Sequence, residues 1–282
     1  MRIVERADIP LSRRSDLTAG QVSLTWLGQA GFLVESQGVR FLIDPYLSDA
    51  LAEKYRGSRF PHERMMQPPV SAESLRDIDY CFSTHGHTDH LDPGSLPAIA
   101  RNNPDCSFVV PRSCRKLAHE RGVPEEKLLG VSAGERKMVG AVELEAISSA
   151  HEERRQDEEG EELFLGYVFR LQSRTFYHSG DGIPYSGLIE RLSEAKIELF
   201  LMPVNGRDEL RRENGVPGNF TLQEAAAIAQ KAGGEVLIGH HYGMFDFNTI
   251  DPAAAHKWID SRAGGAKPRC LLAELGRDYL LE

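Results

Sequence analysis

The nine residues 84–92, THGHTDHLD, limit what this chain can be more than any other stretch does. Four side chains able to bind a metal, His85, His87, Asp89 and His90, fall within six residues, directly after a β-rich run at 78–83. Imidazoles at i and i+2 in an extended or turning segment can converge on one ion. Asp89 and His90, further round the turn, point towards a second site a few ångströms away. Imidazole and carboxylate suit zinc and similar divalent ions, and a neighbouring pair of ions clamps both the attacking and the leaving oxygen of a hydrolysis.

One loop cannot fill two coordination spheres, so further ligands must come from elsewhere. His151 follows the strand-like run 142–148, Asp181 sits in HSGDG (178–182), and His240-His241 follow 235–239. A rigid sheet can aim side chains placed at the ends of its strands. Each of these residues alone reads as structural; together with the cluster they read as ligands.

Runs at 22–27, 31–36 and 39–43, broken by Gly28 and by Gln37-Gly38, predict an antiparallel meander. Further strands are expected at 107–110, 128–131, 142–148, 163–171, 174–178, 198–202 and 235–239, with helices at 94–102, 113–121, 186–195 and 221–232. Thr221 as N-cap and Glu224 three residues on mark the start of the last helix. The charge run 152–162 reads as a solvated hairpin loop. No repeat and no linker-like shift in composition divides the chain, so residues 1–282 read as one α+β domain with facing sheets and outer helices.

The formal charge of −9 disfavours a general nucleic-acid surface. Cys81, Cys106, Cys114 and Cys270 form no CxxC pair and read as free thiols of a reducing cytosol. Arg13-Arg14 lacks the apolar run of an export signal, and no stretch approaches the roughly 18 apolar residues of a membrane span. A cytoplasmic protein without nucleic-acid or membrane partners is expected.

HxHxDH, then a lone His, an Asp in a Gly-flanked turn and a late His resemble the metallo-β-lactamase superfamily. WLGQAGFLVE (26–35), FLIDPYL (41–47), RGVPEEKL (121–128), YHSGDG (177–182), NGRD (205–208) and GNFTLQEA (218–225) are similar to its L-ascorbate-6-phosphate lactonase-like branch. The chain departs from that branch in its shorter length, at Gly86 and around His151. The resemblance implies a four-layer αβ/βα sandwich with a pair of divalent metal ions at one edge; the all-nitrogen and oxygen donors fit zinc or manganese, and iron as well. It gives His85, His87 and His151 to the first metal and Asp89, His90 and a C-terminal histidine to the second, with Asp181 bridging. His241 is preferred over His240 because it directly precedes Tyr242, and Asp89 and His241 are the expected catalytic residues. Asp44 is either the residue that orients a ligand histidine or a turn residue before Pro45.

The resulting expectation is hydrolysis by a hydroxide held between the ions, on a lactone or other ester of a small polar or phosphorylated metabolite. Asn205 and Arg207 are candidate substrate-binding residues, Arg207 because its planar fork matches phosphate, with a surface arginine as the equal alternative. His62, His119 and His256 read as surface or capping residues, and His178 as a residue behind the ligands or a buried hydrogen-bonded histidine. Rival readings are a phosphodiesterase of lipids or nucleotides, a thioester or β-lactam hydrolase, and a non-catalytic metal- or ligand-binding protein. A small molecule is the expected partner, and the resemblance is compatible with a homo-oligomer.

Overall fold

A strand with apolar side chains on both faces has to be covered on both faces, and residues 22–43 form such strands. Val22, Leu24, Trp26, Phe32, Val34, Phe41 and Ile43 point into one core, whereas Leu27, Leu33 and Leu42 point into another. That two-sided burial makes the chain layered. The structure is a computed structural model that describes residues 2–6, 13–14, 16–262 and 265–282.

Among the described residues two sheets form. The first has the order β1 (Ile3–Arg6), β15 (Asp278–Leu281), β2 (Val22–Gly28), β3 (Gly31–Ser36), β4 (Val39–Ile43), β5 (Tyr80–Phe82), β6 (Ser107–Pro111) and β7 (Leu128–Val131). The second runs β14 (Arg269–Leu272), β13 (Val236–His240), β12 (Leu199–Pro203), β11 (Arg174–His178), β10 (Leu165–Leu171), β9 (Val142–Ser148) and β8 (Arg136–Val139). Their inner faces share the main core.

Helices α2 (Leu96–Asn102) and α3 (Arg115–Glu120) cover the outside of the first sheet, where Leu96, Ile99 and Ala118 meet Leu42 and Phe108. Helices α4 (Leu188–Glu194), α6 (Leu222–Lys231) and α7 (Pro252–Ser261) cover the second. The short α1 (Ala50–Lys54) and α5 (Glu209–Glu213) lie in the connecting loops. This is the four-layer αβ/βα sandwich that the sequence implied. Helix α6 opens with a complete capping box between Thr221 and Glu224, a feature that contributes about 0.5–2 kcal/mol.

The expected meander and long strands form, and residues 152–162 make an irregular, largely exposed loop. Strand β5 is shorter than the expected 78–83. Strands β1, β8, β14 and β15 and helices α1, α5 and α7 were not anticipated. The four strands hold only four residues each, too few for a periodic signal. They exist through pairing, as when β15 inserts between β1 and β2.

Candidate metal centre

Strands β4, β5, β6 and β7 run parallel, as do β11, β12, β13 and β14, so the C-terminal ends of each set collect at one edge. Side chains in the crevice beyond such ends are held by rigid sheet. The chain leaves β5 through Thr84 into the histidine-rich turn; His151, Asp181 and His241 follow the ends of β9, β11 and β13.

The structure brings all seven expected ligands together. One donor atom each of His85, His87, His151 and Asp181 lie within 4.8 Å of one another, and so do those of Asp89, His90 and His241. Asp181 joins the two groups. Its Oδ2 is 3.5 Å from His151 Nε2, and its Oδ1 is 3.3 Å from His90 Nε2 and 3.2 Å from His241 Nε2. Asp89 Oδ2 stands 3.5 Å from His241 Nε2.

The atoms behind these donors fix which nitrogen faces inward. His151 Nδ1 lies 3.1 Å from the Gly218 carbonyl, which only accepts, so Nδ1 carries the proton and Nε2 keeps its lone pair. Thr84 Oγ1 donates to Asp44 at 2.7 Å and therefore accepts from His85 Nδ1 at 3.1 Å. His90 Nδ1 is 2.7 Å from Asp44 Oδ2, while Asp44 Oδ1 accepts from Thr84 N at 2.8 Å. Asp44 thus stands where an orienting carboxylate belongs, with its φ at 44°.

His85 Nε2, His90 Nε2, His241 Nε2 and Asp181 Oδ1 are buried without a hydrogen-bond partner. Each such atom costs roughly 1–3 kcal/mol when left unsatisfied. An all-nitrogen and oxygen donor set converging on one space fits divalent cations.

The electrostatics agree. Burial would raise both carboxyls, yet His90 and His241 hold Asp89 and Asp181 well below the usual range. Burial opposes charge on the imidazoles too, but the Asp181 and Asp89 carboxylates override it and place His241 at about 9. His151 follows burial instead and falls to about 4. The two carboxylates thus favour positive charge on the Asp89, His90 and His241 side of the cage.

His240 and His241 part at the end of β13. The His240 ring stacks on His178 at 5.0 Å and meets the edge of Phe32 at 5.3 Å, away from the cage. His241 turns out of the strand at φ 64°, held by a 2.9 Å bond from its N to Gln29 O. His178 accepts from Gly180 N and reaches Ala30 O at 2.9 Å, which braces the turn before Asp181.

Three expectations need correction or addition. Of the two readings of Arg207, the structure favours the surface one: Glu224 holds its guanidinium through two 2.7 Å bonds. Asn205 is held by neighbouring amides: it donates to Asn248 and accepts from Asn219, whose Oδ1 in turn accepts from Gly182 N at 2.8 Å. Neither lines the cavity above the cage; both steady the loops beside Asp181. His62 was set apart from the site, yet it lines that cavity. Residues not anticipated are Gln29, which donates to Asp89 Oδ2 at 2.8 Å, and Gly218, whose carbonyl meets His151. A Cβ at Gly218 would fall 2.0 Å from Arg207 Cβ, so only glycine permits that approach.

The cavity measures about 320 Å³, with His87, Asp89, His151, Asp181 and His241 at its floor and Tyr55, Phe60, His62 and Phe245 in its wall. Among the described residues no helix is long and apolar enough to cross a membrane.

A family model described as "Beta-lactamase superfamily domain" matches residues 39–242. The chain is 25% identical over 240 residues to the N-acyl-phosphatidylethanolamine-hydrolyzing phospholipase D 1 of Caenorhabditis elegans, covering 80% of this chain and 65% of that enzyme's length. It is 22% identical over 268 residues to a probable L-ascorbate-6-phosphate lactonase of Escherichia fergusonii, covering 85% and 74%. Among solved structures it resembles an isothiocyanate hydrolase from Delia radicum gut bacteria, with a TM-score of 0.71 at 20% identity over 91% of this chain and 97% of the other.

Proposed function

The chain belongs to the beta-lactamase superfamily and is a metal-dependent hydrolase, and from that premise we propose that it uses a two-metal centre to cleave the ester bond of a metabolite-sized molecule, lactones foremost. The observation that carries this is Asp181, whose two oxygens face the two donor groups. His85, His87 and His151 would hold one cation, Asp89, His90 and His241 the other, with zinc and manganese both suited to the set.

Such cations supply water activation at neutral pH and polarise the scissile carbonyl or phosphoryl oxygen. The chain's own groups set the stage. Asp44 orients His90, Gln29 fixes Asp89, and the Gly218 carbonyl orients His151. Asp89 and His241 stand 3.5 Å apart at the cavity floor; with His241 Nε2 committed to the cation, a carboxylate oxygen of Asp89 would hold the proton passed between water and leaving group.

A cavity at the small end of the range for ligand pockets, about 300–1,000 Å³, favours a small ester over a diacyl lipid. The net charge of −9 and four free, buried cysteines support a cytoplasmic enzyme acting on small molecules as one domain.

The test is metal analysis combined with a panel of lactones, carboxylic esters, thioesters and phosphodiesters assayed with zinc or manganese. His87→Ala and Asp89→Ala are expected to abolish turnover and lower metal content. Full activity in either variant rejects the cage as the catalytic centre, and preference for phosphodiesters rejects the lactone reading.

A further inference from the structure

We propose that the outer half of the cavity selects an anionic substrate carrying an apolar, preferably aromatic, group. The hydrolase reading above says what happens to such a substrate; its selection rests on separate residues.

The wall is built from rings that fix one another. His62 stacks on Tyr55 with centroids 4.3 Å apart and meets Phe245 edge-on at 5.1 Å, and Phe60 stacks on Phe247 at 4.5 Å. His62 Nδ1 is held 2.6 Å from the Phe60 carbonyl while its backbone keeps φ at 57°, a conformation uncommon outside glycine. Rings already ordered lose little freedom when a ligand packs on them, so the wall offers apolar contact at low entropic cost. Val216 and Pro217 line the cavity as well.

Charge distinguishes this wall from the floor. The acidic residues lining the cavity are Asp89 and Asp181, both in the cage; the other charged lining groups are Lys54 and Arg59. Lys54 Nζ lies 5.0 Å over the Tyr55 ring, and its charge reaches His62 and His87. Arg59 lies 5.5 Å over Phe60 and donates to Asn214 Oδ1 at 3.0 Å, tying the ring wall to the loop that carries Val216. Among the described residues no carboxylate pairs with either cation. A chain of net charge −9 repels anions at long range, and two cations without a carboxylate partner beside an apolar wall offset that repulsion locally. An ester with a ring or branched chain against Tyr55, Phe60 and His62, and its negative charge at Lys54 and Arg59, satisfies both surfaces at once.

The test measures binding, not turnover, by calorimetry on the metal-loaded protein with naphthalenesulfonate, methanesulfonate and naphthol. Sulfonate bears the charge while being a poor metal ligand. Naphthalenesulfonate is expected to bind about tenfold or more tighter than either control, over methanesulfonate from the apolar area it buries and over naphthol from its charge at Lys54 and Arg59. Lys54→Gln/Arg59→Gln should reduce its affinity to that of naphthol, and Phe60→Ala should reduce it about tenfold without changing the binding of methanesulfonate. The double variant alters surface residues, and an unchanged melting midpoint shows that it folds. Naphthol binding as tightly as naphthalenesulfonate, or no effect of the double variant, overturns the anion subsite; methanesulfonate binding as tightly overturns the apolar one. Failure of the hydrolase reading looks different: no ester turns over in a protein that still separates the three ligands.

Discussion

Asp44 Oδ2 lies 2.7 Å from His90 Nδ1, and the same carboxylate accepts from the Thr84 amide. One side chain from the end of β4 therefore sets both the start of the histidine-rich turn and the direction of a ring within it. Asp44→Asn keeps an oxygen for Thr84 N but cannot accept from His90. Metal affinity is expected to fall about 10–100-fold, as when such partners are lost elsewhere, while the far-ultraviolet spectrum stays unchanged. A competition titration against a chelator reads this directly; wild-type affinity would show that Asp44 only shapes the turn.

Metal uptake at pH 7 should release protons. In the cation-free cage His241 sits at about 9, and His90 is raised as well against the opposing effect of burial, whereas a ligand nitrogen must be unprotonated. Metal affinity is therefore expected to rise with pH up to about 9. Isothermal titrations in two buffers of different ionisation heat give the number of protons released, and a value of zero contradicts the charge balance of the cage.

The same shift sets a stability trend. The folded pKa of His241 lies above the ordinary 6.5, so its contribution to the cation-free protein is fully present below pH 6.5 and is lost as pH rises through about 9. In chelator the melting midpoint should respond to pH across this window, and His241→Gln should remove that component. An identical profile in wild type and variant defeats the prediction.

Gly180 precedes Asp181 with φ at 59°, and a Cβ there would sit 2.8 Å from both Leu165 O and Thr84 Cβ. Gly180→Ala is expected to cost about 1–3 kcal/mol from strain and contact and to reduce metal occupancy by displacing the Asp181 carboxylate. Denaturant melts and metal analysis on the same preparation check both, and retention of full occupancy separates stability from the site.

Arg207→Ala tests the correction of its role. Its pair with Glu224 is partly exposed, so the loss should be within about 1 kcal/mol, and KM for any substrate found should not change. A large rise in KM would return Arg207 to the substrate.

The candidate ligands were legible where the signal was local or stood at a strand end. His85, His87, Asp89 and His90 share one turn, and the strands leading to His151, Asp181 and His241 announce themselves by their apolar runs. Direction was not legible. Asn205 and Arg207 have the right chemistry, yet Asn219 and Glu224 engage them. His62 carries no distinguishing neighbour in sequence, and only packing against Tyr55 and Phe245 brings it to the cavity wall.

By itself the sequence determined the layered fold and the set of metal-capable residues, because burial periodicity and donor chemistry are properties of residue type and spacing. The tertiary structure decided which histidine of the 240–241 pair meets the cage, which polar residues merely hold loops, and what surrounds the floor. Those outcomes depend on a backbone angle at His241 and on partners such as Gln29, distant in sequence. Contacts between remote segments leave no trace in the spacing of either one.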